Sequence, residues 1–425
     1  MMKNNHNISL PRIAFLAIGH ELLQGKTKDA NTFWLARYLS ERSHQLGLMM
    51  IISDDRDVII NTTRLLLETF DIVITSGGLG PTQDDVTKEA LAQLFEKKIV
   101  FNEEAGALAF EHYQRIGKIF DPSFNKYDQL PEGFHPLPNP VGLAPGFTYQ
   151  WAPNKWLIAC PGVPLEFSAM LEAELPKKLI SQATGTMELF VAKTWGLPEE
   201  RIFKELSPTL WEELATWGAV SSLPHAMGVD IGVAISEATA EGAKHVAGQV
   251  KQIFLKSAIA PHIWQYGRLD LPEFVIQLAK EKRQTIATAE SCTGGLIASR
   301  LTDVSGSSAV FRASIVAYHE EIKSALLDVP EQILESSGVV SETVAKLMSQ
   351  GARDALNADI SVSTTGIAGP TGGSEKKPVG TVWISVSSAR STKAFHYVFK
   401  GDREMIKFRA SQAALHHLRE ELLLC

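Results

Sequence analysis

Two nucleophile-bearing residues stand side by side in Ala289-Glu290-Ser291-Cys292-Thr293-Gly294-Gly295, followed by a hydroxyl and a glycine pair. The stretch follows the short apolar run 285–288 and precedes residues 296–301 at helical spacing, so it reads as strand, tight turn and helix. A side chain on such a turn is presented at a strand's carboxyl end, where the next backbone N–H groups can hold an anion or an oxyanion. The same pattern is equally that of a structural turn whose serine caps the helix. A serine nucleophile needs a base within hydrogen-bond reach. Tyr318 ends the apolar run 313–318 and Lys323 follows it, and lysine serves as a base only where burial or a neighbouring cation lowers its pKa. Cys292 is the rival nucleophile, the more reactive of the two as a thiolate.

A second stretch with chemical content is Ser76-Gly77-Gly78-Leu79-Gly80-Pro81-Thr82-Gln83-Asp84-Asp85-Val86-Thr87. Its glycines let backbone N–H groups approach an anion, and Asp84 with Asp85 could hold a divalent cation that bridges phosphates. Read as structure alone, Thr82 and the acids also make a good helix start.

The elements that must carry these residues are visible as alternating patterns. Runs 13–18, 48–52 and 71–75 are apolar and are separated by amphipathic segments such as 31–39, which predicts a mostly parallel sheet covered on both faces. Ligands of such sheets lie beyond the carboxyl ends of the strands, where the polar and Gly-rich segments fall here. Residues 188–264 follow a β-α-β-α order, with strands near 189–195 and 228–236 and helices near 199–206 and 240–256, predicting a small open sheet with helices on one face. A capped helix over 271–282 opens the last third, where strands again end in small, Gly-rich, hydroxyl-bearing turns. His225, His245 and His262 are too dispersed to be read as ligands.

Composition narrows the class. A chain of 425 residues is long enough for about three domains. With 45% hydrophobic and 21% charged residues it is ordinary globular material, and its net charge of -7 provides no overall basic field for nucleic acid. Three scattered cysteines, Cys160, Cys292 and Cys425, argue against a disulfide framework or a Cys-rich zinc site and suit a cytoplasmic location. The polar opening residues 1–7 lack a signal peptide's apolar core, and no run approaches about 18 apolar residues, so neither export nor a membrane span is expected.

The motifs Gly19-x-Glu21-Leu22-Leu23-x-Gly25, Asn31, Asp54-Asp55 and Gly77-Gly78-Leu79-Gly80-Pro81-Thr82-x-Asp84-Asp85-x-Thr87 resemble the N-terminal domain of the CinA (competence/damage-inducible) family, related to the molybdopterin-binding fold. Ser123-Phe124-Asn125-Lys126, Asn139-Pro140-Val141-Gly142, Gly146-Phe147 and Cys160-Pro161-Gly162-Val163-Pro164-Leu165-Glu166-Phe167 extend the resemblance to about residue 180. It implies a pyrophosphatase acting on ADP-ribose, with Glu21, Asn31, Asp54, Gly77, Gly78, Gly80 and Thr82 around the pyrophosphate. Asp84 and Asp85 would lie on a divalent cation (magnesium, cobalt or manganese), with potassium as a further ion. His20 departs from the family's small hydroxyl or acidic residue; it could ligate a transition metal or crowd the pyrophosphate. The middle segment resembles the small KH-like domain between the two ends of these proteins, without a basic Gly-x-x-Gly loop, so a spacer or dimer-forming role is expected rather than direct nucleic-acid binding.

In the last third, the opening motif, Gly306-Ser307-Ser308, Tyr318 with Lys323, Val340-Ser341, Thr365-Gly366-Ile367-Ala368-Gly369-Pro370-x-Gly372-Gly373, Lys377-Pro378-Val379-Gly380-Thr381 and Gly401-Asp402-Arg403 resemble the CinA C-terminal, nicotinamide-nucleotide amidase, domain. His319 and Val339 depart from its usual residues without touching the proposed core. The resemblance implies hydrolysis of nicotinamide mononucleotide to nicotinic acid mononucleotide and ammonia without a cofactor. Ser291 would be the nucleophile, Lys323 the base and Tyr318 a relay or positioning group. Amides near Thr293 and Gly294, beside Gly295, would hold the oxyanion, and Gly366, Gly369, Gly372, Gly373 and Arg403 the phosphate. The expected architecture is α/β throughout: a molybdopterin-binding-like parallel-sheet domain over 1–180, a KH-like α+β domain over 188–265 and an α/β amidase domain over 270–425, in a homodimer. The competing expectation is a molybdopterin-like ligand binder or recombination-linked scaffold with one or both sites inactive.

Overall fold

The computed structural model describes residues 10–42, 44–180 and 186–425; the polar opening residues 1–7 lie outside them. The chain divides into two compact units, Met1–Leu189 with Trp217–Ala219 and Ala234–Val250, and Phe190–Thr216 with Val220–Val233 and Lys251–Cys425.

Among the described residues, the strands that lie wholly in the first unit are β1 (Ile13–Ile18), β2 (Leu46–Ile52), β3 (Ile72–Ser76), β4 (Ile99–Phe101), β5 (Gln129–Pro131), β6 (His135–Leu137), β7 (Gly146–Ala152) and β8 (Lys155–Cys160). Six form one sheet in the order β2-β1-β3-β8-β7-β6, while β4 and β5 make a separate antiparallel ribbon. β2, β1, β3 and β8 run parallel, and β7 and β6 add an antiparallel edge. The unbroken apolar run of β1 is explained by its alternation. Ile13, Phe15 and Ala17 face Leu35 and Phe167 on one side, while Ala14, Leu16 and Ile18 join the cluster of Ile59 and Leu91 on the other. The helix after β1, Ala30–Glu41, therefore lies on one face, and the helix that follows β3, Thr87–Leu94, on the opposite face. A crevice opens between the ends of two neighbouring strands whose connections leave in opposite directions.

Four further strands form a sheet in the order β10-β11-β9-β12: β9 (Thr186–Thr194), β10 (Ala219–His225), β11 (Gly228–Glu237) and β12 (Ile263–Tyr266). The sequence pattern predicts only β9 and β11. β10 is an edge strand with mostly exposed residues and Pro224 near its end, and β12 has four residues, so neither carries a buried alternating run. The helix Ala240–Lys256 falls where expected, and the one near 199–206 spans Arg201–Leu206 with Leu210–Ala215 after it.

The last sheet has the order β14-β13-β15-β16-β17, from β13 (Ile286–Glu290), β14 (Phe311–Val316), β15 (Ile360–Gly366), β16 (Thr381–Ser388) and β17 (Thr392–Val398). β14, β13 and β15 are parallel; β16 and β17 are antiparallel. One face packs on the long helix Arg403–Leu424 and on Leu271–Lys282, the other on Glu342–Ala355. Hydroxyls on the second face are satisfied by that helix: Ser363 Oγ donates to the Ala345 carbonyl at 2.6 Å and Ser385 Oγ meets Ser349 Oγ at 2.9 Å. The helix after β13 joins the first face and the helices after β14 the second. A second crevice therefore opens between β13 and β14, with Ser291 after one strand and Tyr318 and Lys323 after the other.

Candidate functional sites

Ser291 is the first residue beyond β13, and its amide donates to the Thr364 carbonyl of β15 at 3.0 Å. The short helix Glu320–Leu327 begins just after Tyr318 and turns Lys323 inward, leaving it only 2% exposed. Lys323 Nζ lies 3.1 Å from Ser291 Oγ and also donates to the Ala317 carbonyl. Burial draws the lysine down from its ordinary 10.5 to about 8. Cys292 is buried next to the pair, and desolvation holds its thiol up at about 12, so it stays protonated where the lysine begins to lose its proton.

Glu290 is fully enclosed, and its carboxylate accepts the amides of Gly295 (2.9 Å), Ile297 (3.1 Å) and Ala298 (2.8 Å). These are the donors that an incoming anion would otherwise find at the start of the helix Leu296–Thr302. The Gly294 amide is likewise engaged, by the Ser291 carbonyl at 3.0 Å. Thr293 turns its hydroxyl inward to Thr364 Oγ1 at 2.7 Å. Gly294, expected at the oxyanion, and Gly295, expected at the substrate, thus have their amides occupied by the chain itself, and Thr293 is buried under the turn.

The cavity above Ser291 has a volume of about 440 Å³. Gly366, Gly369, Gly372 and Arg403 line it as expected, together with the ends of Tyr318 and Lys323. Gly373 lies behind this lining, against Val379. Arg403 opens the long C-terminal helix, capped by Asp402; it donates to the Gly369 carbonyl at 2.8 Å and to Tyr318 Oη at 2.6 Å. Tyr318 is 60% exposed, and among the described residues its hydroxyl is bonded to Arg403 rather than to Ser291 or Lys323. It belongs to the mouth of the cavity, where sequence spacing places it beside the proton path.

In the N-terminal unit, Gly77 has a φ of 112°, and a Cβ there would strike the Ile18 carbonyl at the end of β1. Only glycine lets β3 turn away so close to its neighbour. The crevice beyond holds a cavity of about 710 Å³ lined by Gly77, Gly78 and Gly80 and by the carboxylates Glu21, Asp54, Asp84, Asp85 and Glu166. Asp85 accepts the Thr82 amide at 2.9 Å and the Thr82 hydroxyl, so one of its oxygens closes the Gly-rich loop. Thr82 itself lines a smaller cavity on the other side of that loop. Glu166 is held by Asn139 Nδ2 at 2.7 Å, and burial raises its carboxyl above the usual range. Glu166 belongs to the motif 160–167, which assigns it no role in the cleft; its position two residues into the helix Pro164–Ile180 after β8 is the signal that the crevice rule supplies.

Asn31 is buried rather than lining the cleft. Its Nδ2 donates to Ser76 Oγ at 2.8 Å and to the Gly162 carbonyl at 2.9 Å, tying two cleft loops from beneath. His20 is exposed and lies outside the cavity lining, between the lining residues Gly19 and Glu21. Among the described residues no three His, Cys, Asp or Glu side chains are gathered into a ready-made metal cluster. Among them, too, no helix is long and apolar enough to cross a membrane.

A parallel-sheet domain with a Gly-rich, carboxylate-lined crevice, followed by an α/β domain with a buried serine–lysine pair, defines a two-site α/β protein. A family model described as "Probable molybdopterin binding domain" matches residues 14–180, and one described as "CinA C-terminal domain" matches residues 269–422. A CinA-like protein of Syntrophus aciditrophicus is 36% identical over 428 residues, covering 97% of this chain and 98% of the relative. One of Geotalea uraniireducens is 33% identical over 426 residues, with coverage of 97% and 98%. A solved chain, the competence/damage inducible protein CihA of Agrobacterium tumefaciens, is 35% identical with a TM-score of 0.35, spanning 37% of this chain and 97% of its own. The chain belongs to the CinA-like family.

Proposed function

We propose that the C-terminal site hydrolyses the carboxamide of nicotinamide mononucleotide to nicotinic acid mononucleotide and ammonia, and that the N-terminal crevice is a metal-dependent ADP-ribose pyrophosphatase. The observation that carries the first reading is the buried 3.1 Å bond between Lys323 Nζ and Ser291 Oγ, on a lysine whose pKa lies at about 8. In its neutral form Lys323 takes the Ser291 proton as Oγ attacks the carboxamide carbon, while the Ala317 carbonyl fixes the amine's orientation. With the Gly294 and Gly295 amides occupied, the amides of Cys292 and Thr293 are the ones we assign to the oxyanion. Lys323 returns the proton to the leaving nitrogen, the C–N bond breaks and ammonia departs. Water, deprotonated by the same lysine, then releases the acid from Ser291. Arg403 and the turn from Gly366 to Gly372 receive the nucleotide phosphate, with Tyr318 holding the guanidinium in place.

The crevice of the first unit offers oxygen donors, which suit a hard divalent cation that takes one or two protein carboxylates and completes its shell with substrate phosphates. Asp84 and the second oxygen of Asp85 would hold it, and Asp54 faces the same space. Bound there, such an ion would neutralise pyrophosphate charge and make a coordinated water more acidic. Glu21 and Glu166 remain to orient that water or the ribose.

Purified full-length protein is expected to release ammonia and nicotinic acid mononucleotide from nicotinamide mononucleotide. Ser291→Ala should lower the rate by at least about 10⁴-fold, while Cys292→Ala should keep it within a few-fold. The reverse pattern would make Cys292 the nucleophile and end the serine–lysine reading.

A further inference from the structure

Arg403 is a wall shared by two cavities. One is the catalytic cavity; the other, about 820 Å³, lies against the first turns of the helix Arg403–Leu424 and is lined by Leu296, Asp402, Glu404, Met405, Lys407 and Phe408 besides Arg403. Lys407 stands one helical turn beyond Arg403, so both cations project from the same face. Its Nζ lies 3.7 Å from where a Cβ on Gly294 would stand, close to the nucleophile turn. Among the described residues no hydrogen bond or ion pair engages it.

The other lining groups have a complementary chemistry. Phe408 and Met405 are each 41% exposed, an apolar pair beside the two cations. The Arg300 guanidinium sits 4.9 Å from the Phe408 ring centre and is itself fixed by Ser411 and Gln412, which holds the ring in place and leaves a face for a flat ligand. Of the two acids at the start of the helix, Asp402 is committed to the cap through the Met405 amide at 2.8 Å, whereas Glu404 is exposed and open to a sugar diol. Cations for phosphate, a carboxylate for ribose hydroxyls and an aromatic face for a base together match a nucleoside monophosphate.

We propose that this outer cavity is a subsite for the second nucleotide of a pyridine dinucleotide, whose nicotinamide end occupies the catalytic cavity while its pyrophosphate passes Arg403. The inference rests on the reading of the catalytic cavity as a nicotinamide-nucleotide site. It makes the oxidised dinucleotide a competitor of the mononucleotide and makes Lys407 and Phe408 the residues that distinguish the two.

The test uses the full chain with a chelator present, to silence the N-terminal crevice. Oxidised nicotinamide adenine dinucleotide is titrated as an inhibitor of nicotinic acid mononucleotide formation, the product that only the mononucleotide gives, and its binding is measured by calorimetry. Competitive inhibition is expected. Lys407→Ala and Phe408→Ala should each weaken it about tenfold, or ~1.4 kcal/mol, and leave the mononucleotide KM within about twofold. Absent or non-competitive inhibition would overturn the proposal, as would variants that weaken mononucleotide and dinucleotide equally. If no ammonia is released at all, the amidase reading fails by itself. Calorimetry then decides the subsite: dinucleotide binding displaced by the mononucleotide and weakened in both variants supports it, and binding unaltered in the variants rejects it.

Discussion

The two crevices of this chain arise from the same topological device and are finished in different ways. Each opens where neighbouring parallel strands send their connections to opposite faces of a sheet. In the C-terminal domain the chain completes the site with its own side chains: Ser291 and Lys323 are already bonded, buried, and braced by Thr364, Ala317 and the Glu290 cap. In the N-terminal domain the carboxylates line the cavity without being gathered, and those of Asp85 and Glu166 are partly engaged by Thr82 and Asn139. A nucleophile and its base must be placed to within tenths of an ångström, which requires packing and burial. Carboxylates that act through a cation can be assembled by the ligand, because the attraction of a divalent charge reaches across a wet cavity.

That contrast is most strongly tested at Lys323. Lys323→Met should lower amide hydrolysis by about 10³-fold, the loss expected for a general base. The same variant should be at least as stable as the parent below pH 8. Burial depresses the lysine's folded pKa to about 8 from its ordinary 10.5, so between those two values the unfolded chain holds the proton that the folded one has lost. Stability of the parent therefore rises with pH between about 8 and 10.5, and the Met variant should lose that rise. The kcat/KM profile offers a second measure: in the parent, activity should climb through a midpoint near pH 8 as the amine becomes neutral, and then level. A flat profile across pH 7–9 would mean that Lys323 is not the base.

The N-terminal crevice should respond to a perturbation that the C-terminal site ignores. Chelation is expected to abolish ADP-ribose hydrolysis and leave ammonia release unchanged, as measured on one preparation. Asp84→Asn should reproduce most of the first effect, lowering hydrolysis about 10²-fold at fixed magnesium, because it removes one charged oxygen donor where the shell relies on few from the protein. Equal sensitivity of both activities to chelator would contradict the division of labour between the crevices.

How far the sequence reveals these sites follows the same physical divide. Strands β1, β3 and β13 are short, apolar and bounded by glycine or hydroxyl residues, and the helix Leu271–Lys282 is bracketed by a capping box and a left-handed cap, so they are legible from local pattern. Ser291 and Lys323 are legible as residues of an ordered motif; their contact is legible only through the rule that places the ends of adjacent parallel strands together. Glu290 lies inside the quoted motif, yet its role is hidden, because nothing local says that an acid at a strand's end will fold over to cap its own following helix. Tyr318 is placed one step too deep, since its partner Arg403 lies 85 residues away in the chain. Asn31 is misplaced toward the ligand for a similar reason: the Ser76 and Gly162 groups that bury it come from two other strands' ends. The edge strand β10 escapes detection because most of its residues are exposed, and β12 because four residues are too few to show an alternation.

His20 provides the smallest and most local test of the comparison. It interrupts a motif between two residues that do line the crevice, Gly19 and Glu21, and on sequence alone it could either ligate a metal or obstruct the pyrophosphate. It begins a four-residue helix with its side chain exposed and outside the lining. A surface substitution away from buried bonds changes stability by no more than about 0.5 kcal/mol. His20→Ala and His20→Ser should therefore leave ADP-ribose hydrolysis within about twofold, with an unchanged order of preference among magnesium, manganese and cobalt. A shift in that order would place the imidazole on the cation, and a gain in rate with His20→Ser would show that the ring crowds the pyrophosphate. Either result would mean that ligand binding redraws the crevice around residue 20, which is the behaviour expected of a site whose ligand helps assemble it.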